Sequence, residues 1–367
     1  MDSDTYGLYI HIPFCQKKCD YCDFISFDDK TYEIEKYTNT LIDEIMNLKE
    51  KPFDTIYLGG GTPSILQEKY LQDILRAVQE VHQSEEFYTE FTCEANPGTL
   101  SQTKIDILLQ RGVNRFSIGL QAIQPYILKK IGRDMKPESF LSSYRILREY
   151  NVKNINVDIM FGLPEQTMED IDETIKLVCD LSPEHISAYA LTPGVTDDET
   201  DRRMYYRIRE YLSKNGYDQY EISNFCKPGF ESRHNCRYWI RKSYIGVWLR
   251  AHSYIRISQD DINKGNFGIR YSNTEDLSEY ILYQRREEEI ILTEEDAMAE
   301  FMFLGLRLTK GVSIEEFINE FGKSPLDIYN KWITKMTDDG LLYIKNGRIV
   351  LTAYGIDLSN TVMAGFL

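Results

Sequence analysis

Cys15, Cys19 and Cys22 place three thiols within eight residues, in the spacing Cys-x3-Cys-x2-Cys. Three thiolates in one loop can wrap a compact [4Fe–4S] cluster, leaving the fourth iron open for a ligand. Two other readings stay open on spacing alone: a zinc site completed by His11 as Cys3His, and chance. Tyr21, just before the third cysteine, either packs or lies beside that open iron. A second run, Gly59-Gly60-Gly61-Thr62-Pro63, is not a phosphate loop, because no Gly-Lys-Ser/Thr follows. Its glycines would let backbone approach a ligand closely, and an amino-acid moiety would suit them; a plain tight turn is the competing reading. Glu94 could cap a helix or bind a ribose diol, while Gln121, Arg133 and Asp158 are unremarkable singly.

These residues need elements to carry them. Short β-branched runs predict strands at 8–12, 55–58, 90–94, 115–118, 154–158 and 185–189. Amphipathic stretches at 34–49, 68–81, 102–110, 137–150 and 168–180 predict the helices between them. That alternation implies βαβ units and a parallel sheet curling toward a partial barrel. The cysteines, the glycine run, Glu94, Gln121 and Asp158 all fall at the ends of strands, where barrel enzymes build their active sites. Residues 217–273 are rich in Tyr, Asn, Gly and Arg with only short apolar runs. From Glu294 helices return, followed by two strands joined by Asn346-Gly347, a strong hairpin signal. The expected division is a barrel over 1–215, an aromatic-rich connecting segment over 216–290 and a winged-helix-like domain over 291–367.

The chain has 367 residues, 42% hydrophobic and 27% charged, with a formal net charge of −16. Such a surface repels polyphosphate and argues against nucleic acid as a partner. No apolar run reaches the roughly 18 residues a spanning helix needs, so the chain is expected not to be integral to a membrane. It opens Met-Asp-Ser-Asp without signal-peptide features, which implies a cytoplasmic protein with reduced cysteines. On that basis Cys93, Cys179, Cys226 and Cys236 read as small buried hydrophobes.

Together the motifs resemble the radical S-adenosylmethionine (SAM) superfamily, whose cluster motif is CxxxCxxC. The runs Tyr9–Cys15, Gly59–Pro63, Glu94-Ala95-Asn96-Pro97 and Asp158–Pro164 resemble the oxygen-independent coproporphyrinogen III oxidase family. Phe24 stands where the oxidase carries an extra cysteine, and His234-Asn235-Cys236-Arg237-Tyr238-Trp239 matches the HNxxYW signature of the HemW haem-chaperone branch. The resemblance implies a partial (β/α)6 TIM-like barrel with a small C-terminal helical domain. It implies Cys15, Cys19 and Cys22 as cluster ligands and Tyr9, Tyr21, Gly60, Gly61, Thr62, Glu94, Gln121, Arg133, Asp158 and Ala190 as SAM contacts. One-electron cleavage of SAM would then be the cofactor's own chemistry.

The function implied is haem binding, with haem as cargo for acceptor haemoproteins or respiratory-chain components. The alternative is radical decarboxylation of coproporphyrinogen III in porphyrin biosynthesis; a zinc-bound module reading DNA is a third, opposed by the charge. His234 is the candidate haem ligand, since imidazole commonly is one; it could equally fix Tyr238-Trp239 by hydrogen bonding. Cys226 and Cys236 are alternative ligands, and Arg233, Arg237 and Arg241 could meet the propionates. The family usually reads Gly-x-Gly-x-Gly/Ala-Ala-His-Ser where this chain has Gly246-Val247-Trp248-Leu249-Arg250-Ala251-His252-Ser253. Trp248 and Arg250 therefore fill part of a pocket, contact a different ligand or point outward. The loop after Thr192 is shorter than in the family.

Overall fold

The computed structural model describes the chain except residues 1–4, 50, 83–89, 134, 192–193, 195–197, 258–264 and 285. The expected loop after Thr192 lies largely outside the described residues. Six parallel strands form the barrel wall: β1 (Tyr6–Ile12), β2 (Phe53–Gly60), β3 (Glu90–Ala95), β4 (Arg115–Gln121), β5 (Ile155–Phe161) and β6 (His185–Ala190). All seven residues of β4 are buried, as expected of a parallel strand with both faces covered. Helices α1 (Ile34–Met46), α2 (Glu68–Val81), α3 (Gln102–Gln110), α4 (Pro125–Lys130), α5 (Pro137–Glu149), α6 (Met168–Leu181) and α7 (Asp198–Lys214) lie between or after them. In α2 the residues Leu71, Ile74, Leu75, Val78 and Val81 recur at helical spacing and are all buried. Helix α6 starts at a capping box in which Thr167 and Asp170 satisfy each other's backbone N–H groups. The partial barrel expected from the sequence is the fold.

Residues 216–290 were expected to be an aromatic-rich connecting segment carrying the HNxxYW motif. They supply β7 (Asp218–Gln219), β8 (Asn224–Cys226), α8 (Arg233–Trp239), β9 (Tyr244–Val247), β10 (His252–Ile255), β11 (Ile269–Asn273) and β12 (Arg286–Ile291). Strand β9 pairs parallel to β1, β8 pairs antiparallel to β6, and one twelve-stranded sheet results. Propensity hides these strands: β12 reads Arg-Glu-Glu-Glu-Ile-Ile, and its pairing with β11, rather than its composition, makes it a strand.

The C-terminal domain has helices at Glu294–Gly305, Ile314–Phe321, Pro325–Ile328 and Asn330–Asp338 and a three-stranded sheet. Its hairpin turns at Asn346 (φ 51°) and Gly347 (φ 71°), the left-handed pair a two-residue turn demands. Tyr206 on α7 donates a 2.7 Å hydrogen bond to Asp357, tying this domain to the barrel.

Candidate functional site

The inner face of the barrel is polar by alternation. Arg115, Ser117, Gly119 and Gln121 on β4, Asn156, Asp158 and Met160 on β5, and Ser187 and Tyr189 on β6 all line one cavity of about 480 Å³. Successive strand residues face opposite sides, so each second residue points inward. Asp158 is not at a strand end, as the sequence suggested, but midway along β5. Its Oδ1 accepts from Asn156 at 2.8 Å and its Oδ2 from Ser117 at 3.1 Å. Burial raises its carboxyl above the usual range.

Cys15, Cys19 and Cys22 reach the same cavity from the loop after β1. That loop is closed by backbone hydrogen bonds from Cys15 to Phe27 at 2.9 Å and from Phe27 to Pro13 at 2.6 Å. The glycine run docks onto it: Gly61 N–H donates to Ile12 at 2.7 Å and Thr62 N–H to Phe14 at 2.8 Å. A Cβ on Gly60, whose φ is +110°, would come within 2.6 Å of His11, and one on Gly61 within 2.7 Å of the Phe14 carbonyl. The close approach that demands glycine here is to the cysteine loop itself.

The thiols already face donors. Thr62 Oγ1 lies 3.7 Å from Cys15 Sγ, and Arg133 Nη1 lies 4.0 Å from Cys19 Sγ. Burial raises the pKa of both Cys15 and Cys22, so free thiols here keep their protons and a metal must displace them. Arg133 joins the loop to the barrel, donating to Tyr21 at 3.3 Å, to Asn96 at 3.1 Å and to the Gly119 carbonyl at 2.7 Å. Its Nε and the Oε1 of Gln121 are buried without a partner among the described residues, hydrogen-bonding capacity that a bound polar group would use. Three thiols on one closed loop, with these orphaned atoms beside them, fit a sulfur-ligated cluster and a polar ligand.

Glu94 accepts from Tyr57 at 2.7 Å and from Gly60 N–H at 3.1 Å. Burial pushes its carboxyl up to about 7, with nearby Asp158 adding to the rise. Tyr21, Gly60, Gly61, Thr62, Glu94, Gln121, Arg133, Asp158 and Ala190 thus open onto one cavity with the three cysteines. Tyr9 does not line it; its hydroxyl lies 2.9 Å from His11 Nδ1. The other His11 nitrogen meets the Ile25 carbonyl at 2.8 Å, which leaves neither free to complete a zinc site.

Arg115 is the member that reading single residues missed. It is 1% exposed, lines the cavity, and donates to Thr92 Oγ1 at 3.4 Å, with the charges of Glu90 and Asp158 acting on it. The Arg-x-Ser-x-Gly-x-Gln alternation along β4 was the signal available for it.

His234 corrects an expectation. It is fully buried, with Nδ1 3.1 Å from Thr55 Oγ1 and Nε2 2.8 Å from the Tyr238 hydroxyl, so neither nitrogen can reach a haem iron. Burial, then the charges of Arg237 and Arg115, lower its pKa to about 3. Helix α8 instead stoppers the barrel: Glu90, at the start of β3, accepts from Arg233 N–H and His234 N–H at 2.9 Å each. Cys226 is buried and Cys236 half-buried, and burial pushes both thiols up to about 12. Arg237 is buried against Asp54, and Arg241 against Glu300 and Glu320. Trp248 is fully buried in the core and Arg250 points outward to Glu275, so neither contacts a cavity ligand.

The radical SAM superfamily model matches residues 9–178 and the HemN C-terminal domain model matches residues 292–358. A Lactococcus lactis protein described as heme chaperone HemW is 36% identical over 98% of this chain and 96% of its own length. Its Bacillus subtilis counterpart is 34% identical over 98% of both chains. Among solved structures, coproporphyrinogen III oxidase (HemN) from Escherichia coli superposes with a TM-score of 0.84 at 20% identity, over 99% of this chain and 90% of that one. That likeness carries the fold alone.

Proposed function

We infer the function from the premise that this chain belongs to the HemW family within the radical SAM superfamily. A radical SAM domain implies a [4Fe–4S] cluster and SAM, which together supply one-electron chemistry when bound. Cys15, Cys19 and Cys22 would hold the cluster. Gln121 and Arg133 would take up polar groups of SAM, the planar fork of Arg133 suiting its carboxylate. Glu94 and Asp158 would accept from its hydroxyls, and Tyr21, Gly60, Gly61, Thr62 and Ala190 would complete the walls. Tyr9 would act through His11, not by contact.

The relatives are described as heme chaperones, and that activity is the one we propose: the chain binds haem as cargo and passes it to acceptor haemoproteins, respiratory-chain components among them. Residues 1–215 would hold the cofactors, with 216–290 and 291–367 serving the cargo. The observation that carries this reading is the near full-length match to the chaperones, with Phe24 on the cavity rim in place of the oxidase's extra cysteine. Titrating haem into the anaerobically reconstituted protein tests it. A saturable Soret band at one haem per chain is expected; an unsaturable, featureless rise would overturn it.

A further inference from the structure

A second opening of about 480 Å³ lies outside the barrel, where the end of α8 meets the C-terminal domain. Its apolar wall includes Trp239, Ile240, Phe301, Leu308 and Val312. Its charged groups are Arg241, Arg256, Lys310 and Arg348 against Glu316 and Glu320, four cations to two carboxylates in a chain whose net charge is −16. Arg241 is 3% exposed and consumed by Glu300 and Glu320. The other three reach solvent. Arg256 Nη2 pairs with Glu320 Oε2 at 3.3 Å. Arg348 donates to the carbonyls of Lys310 and Gly311 at 2.7 Å each, which holds the guanidinium without neutralising it. The Lys310 ammonium has no acidic hydrogen-bond partner among the described residues.

We propose that this groove is the cargo site, taking a planar tetrapyrrole against Trp239, Ile240, Phe301 and Leu308 with its carboxylates on Arg256, Lys310 and Arg348. The inference rests on the haem reading above and adds where and how the cargo is held. The volume falls within the roughly 300–1,000 Å³ of small-molecule sites, and an apolar wall beside convergent cations matches an amphipathic dianion. Among the described residues the lining contains no His, Cys, Met or Tyr, the residues that ordinarily ligate haem iron. Ring and carboxylates therefore carry the binding, and the iron is left open for an acceptor's ligand. Metal-free protoporphyrin IX should bind as haem does.

The test titrates haem and protoporphyrin IX separately into the full-length reconstituted protein and into Lys310→Glu and Arg256→Glu/Lys310→Glu variants. Both positions are exposed, and unchanged thermal midpoints would show intact folds; Lys310→Ala removes the charge without reversing it. Wild type should bind either ligand at one per chain, and the double variant should bind both roughly tenfold or more weakly, the scale of a lost charge-assisted hydrogen bond. Unchanged affinity in every variant would overturn the groove while leaving haem binding intact. So would binding of haem without binding of protoporphyrin IX, which would put an axial ligand elsewhere. Failure of wild type to bind haem would sink the functional reading itself.

Discussion

The imidazole of His11 and the indole of Trp248 lie parallel, with centroids 5.6 Å apart and planes 6° apart, sealing the β1–β9 side of the barrel. Tyr37 meets the indole edge-on at 4.6 Å and Tyr280 at 5.4 Å. Trp248 has φ +86° and Arg250 φ +53°, at the positions where the family usually carries glycine or another small residue.

That geometry separates two substitutions of one tryptophan. Trp248→Ala and Trp248→Gly open the same cavity and should each cost about 3–5 kcal/mol. Only glycine escapes the left-handed penalty, so after its own entropy cost Trp248→Gly should be the more stable by about 0.5–1 kcal/mol. Urea melts of both variants decide it; an alanine variant that is the more stable would contradict the strain.

His234→Ala should lower stability by about 2–4 kcal/mol, since it leaves Thr55 and Tyr238 without their partner and a hole beneath the barrel. Haem affinity of the folded fraction should not change. Loss of the Soret band in a variant that melts like wild type would restore the histidine as a ligand.

Glu94 gives a pH signature. Its folded pKa of about 7 lies above the ordinary value of 4.5, so its contribution to stability is fully present below about 4.5 and lost as pH rises through 7. Glu94→Gln does not titrate. Compared with wild type, the glutamine variant should therefore gain relative stability between pH 5 and pH 8 in urea melts. Parallel curves would remove the shift.

Reconstitution under nitrogen should load wild type with four irons and four sulfides per chain, and the Cys15→Ala/Cys19→Ala/Cys22→Ala variant with neither. Equal iron in both, or stoichiometric zinc in the wild type, would contradict the cluster.

The barrel was legible because its strands are β-branched runs separated by amphipathic helices, and the cysteine loop because its spacing is local. What escaped was non-local. Arg115 is ordinary until five other strands close around it, and β12 becomes a strand only beside β11. The histidine of HNxxYW carries its chemical identity in the sequence, but its burial depends on Glu90 and Thr55, more than a hundred residues away. Trp248, which the sequence left to fill a pocket, contact a different ligand or point outward, proved to be core. Its left-handed backbone explains why small residues are usual there.

The most direct measurement of the central claim uses one sample of reduced, reconstituted protein with SAM. Haem is added with apomyoglobin as a generic acceptor, and a parallel aliquot receives coproporphyrinogen III. The account predicts that haem is bound and then appears in myoglobin, while no protoporphyrinogen accumulates. Multiple turnovers of coproporphyrinogen III, with no haem retained or transferred, would contradict it.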